Sequence, residues 1–138
     1  VFSGDGLKKL AAFQSNLYKE VSTKNGTFDE AKFQKLATKP LLSSHIIAIG
    51  MVRDPKESVP EVEEVSSVAM AVQNMWLCCT ELGIGSYWSS PGLIKYMDEF
   101  FDLNEGEKCL GFFYMGYYEA ELPEVTREPI EDKVVWMD

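Results

Sequence analysis

The sequence predicts a single domain of mixed helices and strands, and three observations predict it. Its 138 residues, 46% of them hydrophobic, sit near the commonest domain size and can fill one core. Two long stretches repeat apolar residues at spacings of three and four, as amphipathic helices do. Two continuous apolar runs of strand length read as strands covered on both faces.

Val1-Phe2 has the character of a strand end, turning through Ser3-Gly4-Asp5-Gly6 into a helix marked by Leu7, Leu10, Phe13 or Gln14, Leu17 and Val21. Asn25-Gly26 marks a loop. Thr27-Phe28-Asp29-Glu30 matches a capping box, with Thr27 as the cap and Glu30 reaching back to it, and opens a short helix to about Thr38. Pro40 ends that helix. The run from Ser44 to Val52 is rich in β-branched residues and reads as a buried strand, closed by Asp54-Pro55. Ser58-Val59-Pro60-Glu61 repeats the capping-box pattern, and Glu61, Glu63 and Glu64 place negative charge where the helix dipole favours it. Val62, Val65, Ala69, Val72, Trp76 and Cys79 then form a stripe that Val68, Met75 and Leu82 widen until the middle is apolar nearly all round. This is expected to be the central, most buried helix, with Gln73-Asn74 a polar pair needing partners at its deepest level.

The ten residues Gly83 to Gly92 form the best candidate for a ligand contact. Gly83 can end a helix in the left-handed conformation, and Ser86 to Trp88 suit a brief strand. Ser90 reads as an N-cap and Pro91 as the first residue of a second helix, whose free N–H groups would face an electron-rich ligand. The plainer alternative is a tight connection that needs its glycines only for geometry. Leu93, Ile94, Met97, Phe100 and Phe101 give the following helix an apolar face, and Leu103-Asn104-Glu105-Gly106 turns the chain. Cys109 to Gly116 is a second buried strand, its glycines allowing close approach of a neighbour. From 119 the composition changes to an acidic, proline-bearing tail that includes Glu121, Pro123 and Glu124. It ends in Val134-Val135-Trp136-Met137, an apolar cluster expected to bury itself on its own domain or on a partner subunit.

Composition excludes several classes. Thirteen Lys and Arg against 22 Asp and Glu give a formal charge of -9, which repels nucleic acid and anionic membrane surfaces. Cys78, Cys79 and Cys109 lack metal or disulfide spacing and read as reduced core thiols, Cys78 and Cys79 inert in an apolar helix. His45, the single histidine, has no local partners for a metal site or a triad. Neither a P-loop nor a dinucleotide glycine fingerprint is present. No apolar run is long enough to span a bilayer, and the opening residues do not have the order of a signal peptide, so a soluble, cytoplasmic protein is expected. With no initiator Met and a start in mid-element, the chain is expected to lack an upstream segment.

The helix Val65 to Leu77 followed by Glu81-Leu82-Gly83-Ile84-Gly85-Ser86 resembles the hallmark segment of FMN-dependent nitroreductases. Cys109 to Tyr117 is similar to that family's penultimate strand with its Leu-Gly-Tyr-type turn, and Arg127-Glu128-Pro129-Ile130-Glu131-Asp132-Lys133-Val134-Val135-Trp136 is similar to its C-terminal motif. The resemblance implies an α+β, three-layer α/β/α fold with a central, mainly antiparallel sheet. Residues 1–138 would be one domain, N-terminally incomplete by about a quarter of a usual member, with 119–138 as an extended tail. It implies a homodimer with FMN at the subunit interface, NADH or NADPH as electron donor, and a small acceptor such as a nitroaromatic or quinone. By position, Trp88, Ser89, Ser90 and Pro91 would contact the flavin ring, and Arg127 its phosphate. The family's N-terminal Arg-Arg-Ser motif has no counterpart here. That absence motivates the alternative of a cofactor-free binding or interaction module that keeps the fold.

Overall fold

Two helices, a strand, a long helix and a tight pair of strands follow one another in the computed structural model, which describes residues 1–119 and 125–137. The first helix, α1 (Asp5–Lys24), turns Leu7, Leu10, Ala11, Gln14 and Tyr18 inward at helical spacing. The second, α2 (Glu30–Thr38), is capped by Asp29, whose carboxylate accepts from the Lys32 N–H at 2.8 Å. The expected Thr27 capping box is therefore corrected: the Thr27 N–H goes to Ser22 O, and Glu30 Oε1 accepts from Gln34. A 3-10 turn at Lys39–Leu42 leads into β1 (His45–Val52).

The sheet orders its strands β1, β3, β2, with β2 (Gly85–Ser89) and β1 both antiparallel to the central β3 (Glu107–Gly116). Phe2 adds a single bridge to Ile46 on the outer edge of β1, so the expected strand end at Val1-Phe2 amounts to one bridging residue. One face of the sheet presents Ile46, Phe112 and Tyr114 to Leu7 and Leu10 of α1 and to Met97 of α4 (Met97–Phe101). The other presents Ile49 and Phe113 to Val72 and Cys79 of α3 (Glu61–Glu81). The molecule is thus α+β in three layers, helix, sheet and helix. The register slips between Ile49 and Gly50, leaving Leu110 as an extra residue on β3, a β-bulge beside Gly111.

Three expectations about α3 and its start are corrected. Its N-terminus has Pro60, which has no side-chain acceptor, at the cap position, while the expected cap Ser58 gives its N–H and hydroxyl to Asp54 in the preceding loop. It is not the most buried helix: Val72 and Cys79 are its buried residues, against seven in α1. Apolar on nearly every side, it has only one sheet face to cover it, so Met70 is 63% and Leu77 58% exposed. Gln73, Asn74 and Cys78 lie in solvent as well, where the polar pair is satisfied by water.

Beyond β3, residues 125–137 run without a strand except for a 3-10 turn at Ile130–Lys133. The chain-end cluster is not buried on its own domain, with Val135, Trp136 and Met137 all exposed. The tail residues Glu121, Pro123 and Glu124 lie outside the described residues. Among the described residues no helix is long and apolar enough to cross a membrane.

Candidate functional site

The edge strand β2 borders a cavity of about 500 Å³. Its floor is Gly85, Ser86 and Tyr87 of β2 with Tyr114 to Gly116 of β3, which the antiparallel register places alongside. Trp76 and Thr80 from the last turns of α3 form one wall, Lys39, Leu42 and Ser43 the opposite one, and Tyr117 and Tyr118 close the end. Gly85 is needed there, since a Cβ at that position would stand 2.6 Å from the Tyr118 ring. The lining is mostly apolar and aromatic with a few polar groups, the usual character of a small-molecule site.

Two polar features break the apolar surface. The Tyr87 and Tyr114 rings stack 4.9 Å apart at 3°, and the Lys39 ammonium lies over both, 4.9 and 5.2 Å from their centroids. Burial pushes the Tyr114 phenol up to about 12, with Tyr87 adding to the rise, and burial raises Tyr87 as well. Both phenols are therefore neutral hydrogen-bonding groups at physiological pH, and Lys39 is a fixed cation beside them. Ser86 Oγ is buried with no hydrogen-bond partner among the described residues. A buried hydroxyl without a partner is costly unless a ligand or water completes it.

At the far end of β2 the predicted contact residues form a hydrogen-bonded knot. Trp88 Nε1 donates to Ser90 Oγ at 3.0 Å, and Ser90 Oγ donates to Leu110 O at 2.6 Å. The bulge residue's carbonyl is thus tied to the loop after β2. With its hydroxyl committed there, Ser90 caps no helix, which corrects the expected helix start at Ser90-Pro91. Pro91 O instead accepts from the Ile94 N–H at 2.8 Å in a turn, followed by a 3-10 turn at Ile94–Tyr96 and the five-residue α4. The helix-dipole argument for this loop does not hold. Gly83 ends α3 with φ +67, as expected.

Trp88, Ser89, Ser90 and Pro91 continue the strand that floors the cavity but do not themselves line it. Arg127 lies exposed in the segment after residue 125. The sequence reading missed Lys39, Trp76 and Tyr118 as lining residues. Tyr87 lies within the candidate stretch, but nothing local to Lys39 in the sequence links it to β2; the fold brings its ammonium over Tyr87 and Tyr114 together. His45 begins β1, exposed, with Nδ1 3.3 Å from Ser44 Oγ. Among the described residues no cluster of His, Cys, Asp and Glu could hold a metal ion. Burial raises the Cys109 thiol, which keeps it protonated and unreactive.

Residues 2–117 match the Nitroreductase family. A comparison with curated proteins finds no match. Among solved structures, the chain is similar to the nitroreductase-like family protein from Bacillus cereus, 25% identical, with a TM-score of 0.73 over 99% of this chain and 70% of that one. It also shares its fold with a BluB-like flavoprotein from Clostridium difficile 630, 14% identical, TM-score 0.63, over 99% of this chain and 77% of that one. The same holds for the nitroreductase CinD from Lactococcus lactis, solved with chloramphenicol, 15% identical, TM-score 0.62, over 99% and 74%. With the family match running from the bridge residue Phe2 to Tyr117 at the cavity's end, the chain belongs to the nitroreductase family, and its chemistry is that of an oxidoreductase.

Proposed function

We propose that the chain is an FMN-dependent oxidoreductase that passes electrons from NADH or NADPH to a small acceptor such as a nitroaromatic or quinone, working as a homodimer. The observation that carries this reading is the cavity along β2. Its volume of about 500 Å³ falls within the roughly 300–1,000 Å³ of cavities that take small organic ligands. Its residues fit a flat heteroaromatic ring with polar edges. The aromatic and aliphatic walls suit the ring faces, the partnerless Ser86 Oγ offers a hydrogen bond to a ring edge, and Lys39 supplies a positive charge where reduction builds negative charge. When bound, FMN would supply hydride acceptance and donation, chemistry that no side chain provides.

Trp88, Ser89, Ser90 and Pro91 would then meet the ring through backbone groups where β2 leaves the cavity, since the Ser90 hydroxyl is already committed to Leu110. Arg127 is proposed to grip the phosphate, for which a guanidinium is suited. Support for a dimer comes from the exposed apolar side of α3 and the exposed Val135-Trp136-Met137 end. The name of the BluB-like neighbour, a flavoprotein, supports the cofactor class.

The test is an absorbance scan of the purified protein with and without added FMN. Flavin bands that bleach on addition of NADH or NADPH, and that weaken in a Lys39→Met variant, are expected. A colourless protein that ignores FMN would overturn the reading and leave a cofactor-free binding module on this fold.

A further inference from the structure

The charge of this chain is segregated. Of its 13 Lys and Arg, seven fall in residues 1–42, where only four of the 22 Asp and Glu occur, namely Asp5, Glu20, Asp29 and Glu30. Each of those four carboxylates is already engaged. Asp5 pairs with Lys8 and Glu20 with Lys24, Asp29 caps α2, and Glu30 accepts from Gln34. Lys32, Lys35 and Lys39 make no ion pair among the described residues. They recur at i, i+3 and i+7, which places them along one side of α2 and its continuation. Two of them are held by aromatic faces instead of carboxylates: Lys32 Nζ sits 5.0 Å from the Tyr18 ring, and Lys39 Nζ lies over Tyr87 and Tyr114. Their ammonium groups are thus positioned without being neutralised. The row ends at the cavity, since Lys39 is part of its wall, whereas Lys32 and Lys35 are outside it. Seven residues of helix span about 10 Å.

We infer that this lysine row binds the diphosphate of the electron-donating pyridine dinucleotide, whose nicotinamide end reaches the cavity while the row holds its charged middle. The inference rests on the proposed flavin reading of the cavity. A diphosphate carries the two adjacent negative charges that a row of ammonium groups attracts, and a chain of net charge -9 would otherwise repel it. Because the row leads to the cavity wall at Lys39, it also steers the donor there.

The test uses ADP-ribose, which carries the diphosphate and adenosine but no nicotinamide, titrated by calorimetry into the wild type and a Lys32→Gln/Lys35→Gln variant at low and moderate salt, with FMN affinity measured in parallel. The double variant is expected to bind ADP-ribose about tenfold more weakly or worse at low salt, with a shallower salt dependence and unchanged FMN affinity. A wild type that ignores millimolar ADP-ribose, or a variant that binds it equally well, overturns the inference even where FMN binds normally. Loss of FMN binding in both proteins instead defeats the cavity reading, and the ADP-ribose titration still decides the role of the lysines.

Discussion

Gly111 presses against Trp88: a Cβ built on Gly111 would stand 2.2 Å from Trp88 Nε1, 2.7 Å from Ser90 Oγ and 2.8 Å from Ser89 O. Its φ of +153 is also one that residues with a Cβ rarely adopt. Gly111→Ala therefore combines backbone strain with overpacking and is expected to cost about 2–4 kcal/mol, read as a fall in the urea midpoint. Ser90→Ala removes the hydroxyl that joins Trp88 to Leu110 but leaves the backbone unstrained, and it is expected to cost no more than about 1 kcal/mol. Equal effects of the two substitutions would show that the close packing at Gly111 is not what holds the end of β2.

What the sequence made legible here was local. The helical spacing of Leu7, Leu10 and Leu17, the β-branched run at Ile46 to Ile49 and the left-handed stop at Gly83 each depend on a few neighbours, and each element is present. Competition among neighbours was not legible: in Thr27-Phe28-Asp29-Glu30 two residues can cap, and Asp29 does so because its carboxylate reaches the Lys32 N–H. The burial of α3 is not legible either, because a helix apolar all round says nothing of how many surfaces exist to cover it. The cavity was half legible. β2 reads as a short strand, but Lys39 meets Tyr87 only in the folded chain, where the register with β3 sets Tyr114 beside Tyr87 and the ammonium lies over both.

Tyr114 gives stability a signature in alkali. In the unfolded chain a tyrosine ionises near pH 10, whereas the folded phenol stays neutral to about 12. Between those values the unfolded state binds fewer protons, so stability falls as pH rises through that window. Tyr114→Phe is expected to flatten this decline, and a titration of phenolate absorbance should lose its latest-ionising component. An unchanged decline would mean that the folded phenol ionises like an exposed one.

Glu64 holds the loop after β1. Its carboxylate meets Arg53 Nη1 at 2.5 Å and accepts from the Asp54 N–H at 2.9 Å, and both charged side chains are mostly covered. Arg53 also donates to Val59 O, so one carboxylate organises both ends of the loop. Glu64→Gln should lower the thermal midpoint more than Glu61→Gln, whose pair with Lys108 is half-exposed. Within the same loop, the Ser58 hydroxyl and the backbone N–H groups of Lys56 and Ser58 hold the Asp54 carboxyl below the usual range. That contribution is present above the ordinary carboxylate pKa and lost as pH falls through the depressed one. Acid unfolding of Asp54→Asn should therefore show a shallower dependence on pH.

Leu77 tests the proposed homodimer. It projects from α3 on the same surface as Met70, outside the cluster that packs α3 on the sheet, and both side chains are more than half exposed. Burying one such side chain contributes about 1.5–3 kcal/mol, so placing a carboxylate there should weaken association by at least about tenfold. Leu77→Asp is expected to sediment as a monomer at micromolar concentration where the wild type is a dimer. Its circular dichroism should be unchanged, because the side chain contributes nothing to the core of its own subunit. If the wild type is itself monomeric at that concentration, the apolar side of α3 and the exposed Trp136 have some other use, and the flavin cavity would have to work within one chain.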